Sequence, residues 1–296
     1  MPTSLARQPD DAQAGEPFAF FAPDEAGYRP LWLAQSSWSA EQAHGVAVSG
    51  LLAHAAEQAV VVHGRREELR PARWSVDLFR PVRMTPCTTR AEVLRSGGRL
   101  LLVDVVLEQD GEPVARASAT FLKPTENAPG RTWAPDLERP AAPPVEVAPP
   151  TTDPHVPFFR SGGEWSQRFK EHQNAGQHSQ WTTVPTVVDG QPRTPFVAAA
   201  AAADGANLVA NWGADGVQHI NADLTLTLVR EPEGVSLGLT VIDRLEVDGV
   251  VVATVAVCDR RGPLGSVVVT GLSNLRRAID FAGVRVGEEG RTEPGA

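Results

Sequence analysis

Cysteine is nearly missing from this chain: Cys87 and Cys258 are the only two in 296 residues. They lie far apart and match no redox or metal-ligand spacing, which excludes a disulfide framework and makes a reducing compartment the expectation. The seven histidines, at 44, 54, 63, 155, 172, 178 and 219, include no pair at H-x-x-x-H spacing, so no helical zinc site and no metal are expected. There is no G-x-S-x-G, which argues against a serine nucleophile on an α/β-hydrolase turn. No Walker A loop or dinucleotide fingerprint follows a strand, so nucleotide chemistry is not expected and no cofactor is called for. Positive charge is also in deficit: 27 Lys and Arg against 36 Asp and Glu give a net charge of −9, which repels nucleic acid and anionic lipid. No run approaches the roughly 20 apolar residues of a membrane span. The opening MPTSLARQPDDAQAGEP lacks the apolar centre of a signal peptide. A soluble, cytoplasmic protein with no membrane or nucleic-acid partner is the expectation.

What is present is an ordinary globular composition, 42% hydrophobic and 21% charged, long enough for one large domain or two of usual size. The most constrained stretch is Phe196–Gly213, FVAAAAAADGANLVANWG, rich in alanine and free of proline, which predicts one continuous helix. On it Asp204, Asn207 and Asn211 fall within roughly 60° of one line. The opposite line carries Ala199, Ala202, Ala206, Val209 and Gly213. Two readings of the polar stripe stand: it faces water, or it sets a carboxylate at a cleft. A second helix is predicted after His44-Gly45, where Val48, Leu51, Leu52, Ala55, Ala59 and Val62 keep helical spacing and Gly64 stops it. Glu57 sits in that helix much as Asp204 does in the other.

In chain order, residues 1–17 read as a loose tail. Phe18–Phe21 and Leu31–Leu33 are candidate strands. After the first helix come strand-like Arg73–Phe79, Thr89–Leu94, Leu100–Leu107 and Val114–Leu122, with Asp110-Gly111 as a hairpin turn between the last two. Residues 124–157 hold ten of the 25 prolines and predict an extended connector draped over the surface. Beyond it the order repeats, with strand-like Trp165–Lys170 and Trp181–Val184, the alanine helix, and then Ile220–Val229, Ser236–Arg244, Val250–Val257 and Gly265–Leu272. Val76-Asp77-Leu78 answers Ala222-Asp223-Leu224, and Asp110-Gly111 answers Arg261-Gly262. Two copies of one unit are expected, residues 18–123 and 158–283, joined by the proline-rich strap and followed by a frayed tail, 284–296.

With serine, cysteine, metal and nucleotide chemistry set aside, acid–base work by a carboxylate remains. A buried Asp can deprotonate a water while N–H groups at a helix start hold the developing oxyanion.

The His-Gly before a long helix, SVDLFRPV and LRSGGRLLLVDVVLEQDGEPVARASATF resemble the first half of TesB-like acyl-CoA thioesterases. HSQW, AAAAADGANL, HINADLTLTLV and DRRGPLGSVVVTGL resemble the second half. The resemblance covers residues 18–274. It implies an α+β double hotdog, each unit wrapping an antiparallel sheet around a long helix. It further implies hydrolysis of fatty or other acyl-CoA thioesters without a covalent intermediate, a place in fatty-acid metabolism, and a homodimer.

In that family an Asp on the second helix, a Thr entering the next strand and a Gln in the last strand hold the attacking water. Asp204 matches the Asp and Asn221 stands at the Thr position. The Gln position falls at Val269, with Thr270 beside it. His44 and Gly45 could offer backbone N–H groups to the thioester carbonyl. Arg80 and Arg230 are candidates for the CoA phosphates, and Trp38, Trp181 and Trp212 for an acyl tunnel. Two further readings stay open: an acyl-CoA-binding or scaffold protein that has lost turnover, motivated by Val269, and a hotdog hydratase or dehydratase, for which no His and Asp pair on one loop is seen.

Overall fold

The computed structural model describes residues 16–133, 140–281, 284–286 and 292–294. The first half runs β1 (Ala19–Asp24), β2 (Gly27–Pro30), β3 (Gln35–Ser36), β4 (Ser39–Ala43) and α1 (Gly45–Val62), then the meander β5 (Arg70–Asp77), β6 (Thr88–Gly97), β7 (Leu100–Gln109) and β8 (Glu112–Leu122). The second runs β9 (Phe158–Ser161), α2 (Phe169–His172), β10 (His178–Thr183), β11 (Thr186–Val188), α3 (Pro195–Ala202), α4 (Gly205–Asn211), β12 (Trp212–Gly213) and β13 (Gly216–Val217). It ends with β14 (His219–Leu228), β15 (Ser236–Val247), β16 (Val250–Asp259) and β17 (Gly262–Ser273), and a short pair, β18 (Val284–Val286) with β19 (Thr292–Pro294).

One sheet of ten strands dominates, in the order β6-β7-β8-β5-β14-β17-β16-β15-β10-β9. The two meanders meet edge to edge at β5 and β14, which pair antiparallel. At that seam Ser75 Oγ lies 3.0 Å from Thr225 Oγ1, a separation of 150 residues. The same offset relates β7 to β16, β8 to β17 and Gly45 to Pro195. Asp77 therefore answers Thr227; the expected match of Asp77 with Asp223 was a few residues out of step. The alternation of apolar and polar residues puts one face of the sheet on the helices. In β7, Leu101, Val103, Val105 and Leu107 are fully buried and the residues between them are not. Each half thus wraps its strands around a central helix, and the molecule is a double hotdog.

The alanine run explains how two helices share one core. From Phe196 to Ala203 every residue is buried, with α1 on one side and the sheet on the other. Ser49 Oγ on α1 donates to Ala200 O at 2.6 Å, and a Cβ on Gly50 would already touch Ala201 Cβ at 3.1 Å. Larger side chains would force the helices apart. α1 is long and apolar enough to cross a membrane by composition, and 67% of it is buried within this fold.

Several sequence expectations change. The helix expected over Phe196–Gly213 is two, because at Ala203 and Asp204 the bonding tightens to i−3: Asp204 N–H to Ala201 O at 3.3 Å, Ala206 N–H to Ala203 O at 3.0 Å. Its expected last two residues, Trp212 and Gly213, form β12 instead. The segment expected as a strand over Leu31–Leu33 makes a 3-10 turn at Trp32–Ala34, and Trp165–Lys170 is a loop leading into α2. From residue 140 the proline-rich connector is tied to the second half: Arg260 donates to Pro143 O at 3.0 Å and to Ala148 O, and Ser236 Oγ to Thr151 O at 3.2 Å. Residues 284–296, expected to fray, include the β18–β19 pair. The expected first tail lies almost wholly outside the described residues.

Candidate active site

The break between α3 and α4 turns Asp204 out of the helix stack and toward the start of α1. A mid-helix 3-10 step of this kind shifts the side chain that follows it relative to a regular α-helix. The carboxylate reaches Gly45 so closely that a Cβ there would overlap all its atoms. Glycine at this place is a steric requirement; its backbone is ordinary helix. Val46 N–H donates to the carboxylate, and Asn221 Nδ2 donates to Oδ1 at 2.9 Å.

Asn221 reaches it because of a bulge. Along β14, Leu224, Leu226 and Leu228 face the helices, so strict alternation would turn Asn221 outward. The register with β17 slips between Asn221 and Asp223, leaving Ala222 exposed and swinging Asn221 inward. Burial pushes the Asp204 carboxyl above the usual carboxylate range, with the Asn221 and Val46 hydrogen bonds pulling it partly back.

Asp204 opens onto a cavity of about 1030 Å³. One end is aromatic and aliphatic, with Trp38, Phe169, Leu208, Ile279 and Phe281, backed by Phe159 and Trp212. The other carries Phe18, Phe20, Leu33 and Val184. The strap contributes Pro154 to Pro157, fixed where His155 Nε2 meets Thr183 Oγ1 at 3.1 Å and Gln167 Nε2 donates to Val156 O at 2.5 Å. Among the described residues no lysine or arginine lines the cavity.

One lining residue was not singled out from sequence. Gln180, in the buried strand β10, brings its Oε1 to within 2.9 Å of where a Gly205 Cβ would stand, beside Asp204. That oxygen is buried and has no hydrogen-bond partner among the described residues. Its only sequence signal is a glutamine in the HSQW stretch, which alternation alone does not tell from a structural polar residue.

Of the other expected site residues, His44 lies in the cavity lining and Thr270 outside it. Thr270 is a correction: Val267, Val269 and Gly271 face the helices, so its side chain is on the outer face, and its N–H donates to Asp223 Oδ1 at 2.8 Å. His44 lines the cavity, but its backbone N–H is spent on Ala34 O at 2.8 Å and so is not the expected donor. Its ring caps α1, accepting from Ala47 N–H at 3.0 Å while Nε2 donates to Leu33 O at 2.9 Å. Burial pushes that imidazole down to about 4, so it is neutral. The Gly45 N–H is left in the first turn, where no intrahelical acceptor exists. Asn207 and Asn211 are buried rather than facing water.

Arg80 pairs with Glu112, and Arg230 forks onto Asp259 at 2.6 and 2.7 Å; neither lines the cavity. Trp181 is core, covered by the Arg260 guanidinium 4.9 Å from its ring.

The repeat supplies a second, closed version of the site. At the offset of the seam, His54 stands for Asp204, Pro195 for Gly45 and Asn207 for Glu57. Pro195 stands in sequence where the other half has glycine, and only about 10 Å³ of free space lies beside His54. Glu57 is engaged by Arg66 at 2.9 Å and Thr194 Oγ1 at 2.5 Å, and Arg66 also meets Glu231 across the two halves.

Two family models match the chain: an acyl-CoA thioesterase N-terminal domain over residues 34–122 and an acyl-CoA thioesterase C-terminal domain over 126–272. Among solved structures, the tesB protein of Mycobacterium avium subsp. paratuberculosis superposes with a TM-score of 0.56 at 16% identity, covering 81% of this chain and 90% of that one. Acyl-CoA thioesterase II TesB2 of Mycobacterium marinum gives 0.53 at 17%, with 77% and 89% covered. A hot dog protein of unknown function from Alicyclobacillus acidocaldarius gives 0.58 at 16%, with 86% and 94% covered. No curated protein matches the chain. At these identities the superpositions speak for the fold.

Proposed function

The chain belongs to the TesB-like acyl-CoA thioesterase family, and from that premise we propose that it hydrolyses acyl-CoA thioesters to free acid and CoA with Asp204 as the base. The observation that carries this is the Asp204–Asn221 pair, 2.9 Å apart, at the wall of a large apolar cavity. A water between Asp204 and Gln180 Oε1 would give one proton to each acceptor, which aims its lone pair at the thioester carbon. As that oxygen adds, Asp204 takes the proton and the Gly45 N–H meets the carbonyl oxygen. Collapse breaks the C–S bond, and the thiolate leaves with the proton from Asp204. A carboxyl raised by burial is a better base than an exposed one, provided it is ionised at the working pH.

The cavity also bounds the substrate. The lining mixes apolar side chains with neutral polar ones such as Ser37, Gln167 and Thr182 and holds no cation, which favours an uncharged acyl part and leaves the CoA phosphates outside. The reading of a binding protein without turnover rested on Val269, which is indeed a core residue. Gln180 supplies a carboxamide from β10 and removes that motive. Release of thiol from a panel of acyl-CoAs, followed with a thiol reagent for native protein and Asp204→Asn, tests the proposal. Turnover is expected to fall at least about a thousandfold in the variant; equal rates would remove the base.

We further infer a homodimer, in the cytoplasm. On the outer face of the second half, Ile220, Leu272, Val250 and Val247 stand in one cross-strand row, all exposed. The matching face of the first half carries ion pairs such as Arg116 with Asp104. The corresponding row of the first half is Arg70, Leu122, Leu100 and Gly97, with Leu122 exposed beside a charge; the longer apolar row of the second half favours a covered surface. Light scattering that returns a monomer mass would refute it.

A further inference from the structure

Asp204 and Asn221 come from different elements, so something must hold the start of β14 against α4. Five polar side chains gather there in a ring, four of its links hydrogen bonds and the fifth a close contact. Asn207, one turn beyond Asp204, donates from Nδ2 to the His219 carbonyl at 3.2 Å. Asn211 Nδ2 donates to Asn207 Oδ1 at 2.9 Å, and Arg244 Nε to Asn211 Oδ1 at 3.1 Å. Arg244 then donates to Glu246 Oε2 at 2.7 Å, and the other carboxylate oxygen lies 3.0 Å from His219 Nε2, a close contact without hydrogen-bond geometry that brings the chain of side chains back to β14. Asn207, Asn211 and His219 are buried, whereas Arg244 and Glu246 reach the surface on β15.

Buried asparagines are costly unless paired, and apolar residues would fill the same space with less loss. What the ring does geometrically is tie α4 to both β14 and β15 at one level. That level is two residues before Asn221 and three after Asp204. The bulge at Ala222 frees the strand locally, so the inward setting of Asn221 depends on where His219 is pinned.

We propose that Asn207, Asn211, Arg244, Glu246 and His219 form a positioning ring that sets the Asn221 amide against the Asp204 carboxylate. This rests on the thioesterase reading for its kinetic consequence, and on the hydrogen bonds alone for its structural one. Arg244 is the member to remove, because it is partly exposed and touches neither Asp204 nor Asn221.

The test compares the full chain with Arg244→Ala, Glu246→Gln, Asn221→Ala and the double variant Arg244→Ala with Asn221→Ala. Arg244→Ala is expected to lower kcat about ten- to hundredfold, the order of effect of a small misplacement, with KM for acyl-CoA within about twofold. Glu246→Gln keeps the acceptor facing Arg244 and is expected to retain most of kcat. The double variant is expected to match Asn221→Ala, since the ring has nothing left to position. A kcat for Arg244→Ala within about twofold of native, or losses that multiply in the double variant, would overturn the ring. Should the native chain release no thiol from any acyl-CoA, the thioesterase reading fails by itself. The ring is then read by carbon NMR of the Asp204 carboxyl: its titration midpoint is expected to rise in both Arg244→Ala and Asn221→Ala, and a midpoint unmoved in Arg244→Ala overturns the proposal.

Discussion

Replacing Gly45 by alanine adds one methyl group at the point where the site has no room for it. The backbone does not object, since Gly45 has ordinary helical dihedrals. Alanine in a helix interior is even favoured over glycine by about 1 kcal/mol, somewhat less at a first turn. The objection comes from across the gap: the new Cβ would stand within the van der Waals radius of all three atoms of the Asp204 carboxylate. Carbon and oxygen need well over 3 Å between them, so the carboxylate must retreat by about 1 Å. That retreat stretches the Val46 N–H and Asn221 Nδ2 bonds together. Hydrogen bonds to a charged group are worth about 1.5–3 kcal/mol each. Losing part of two outweighs the helix gain, and the variant is expected to be about 1–3 kcal/mol less stable. A 1 Å misplacement of a reacting group costs up to about a hundredfold in rate, so kcat/KM is expected to fall by about that factor. Thiol release and urea unfolding on the same preparations measure both. If the variant kept native kcat/KM and gained stability, the carboxylate would not be packed on Gly45 and the site as described would be wrong.

Three other outcomes follow from the same geometry. Asp204 has a folded pKa raised above its unfolded value, so the folded state binds its proton more tightly and stability falls as pH climbs from the ordinary carboxylate range through that raised value. Asp204→Asn is therefore expected to melt higher than native at pH 7, with the difference shrinking as pH approaches 4; calorimetry across that range checks the sign. Gln180→Leu removes an unpaired buried acceptor, so its stability is expected to hold or rise while kcat drops about tenfold; an unchanged kcat would take Gln180 out of the water site. Arg260→Ala frees the strap from two carbonyls and uncovers Trp181, and is expected to cost about 1–3 kcal/mol and open residues 140–157 to limited proteolysis.

Much of this molecule is legible in its residue order, and the failures have physical causes. The meander strands and α1 are announced by spacing because each element has one buried face, and Asp110-Gly111 by its left-handed turn, with φ of 52° and 77°. Alanine content gives the second helix but not its break, because the i−3 step at Ala203 is set by what lies across from Asp204. Gly45 and Asn221 were visible as candidates; the bulge that turns Asn221 inward was not, since one extra residue in a strand reverses every side chain after it. Thr270 is turned outward by the plain alternation of β17, in which Val267, Val269 and Gly271 face the helices. Gln180 escaped because its partner is a glycine on another element, and a missing Cβ leaves no pattern. The repeat was seen, yet anchoring it on two Asp-Leu pairs misplaced its phase, which only the Ser75 and Thr225 contact at the seam fixes.

The closed counterpart around His54 and Pro195 has a consequence for how the chain tolerates change. Because both halves ride on one polypeptide, an alteration beside His54 is judged only by whether the interior still holds together. The corresponding alteration beside Asp204 is judged by rate as well. On the proposed reading one half is a supporting wall and the other holds the reacting groups, so the same substitution carried out 150 positions apart is expected to give two different phenotypes.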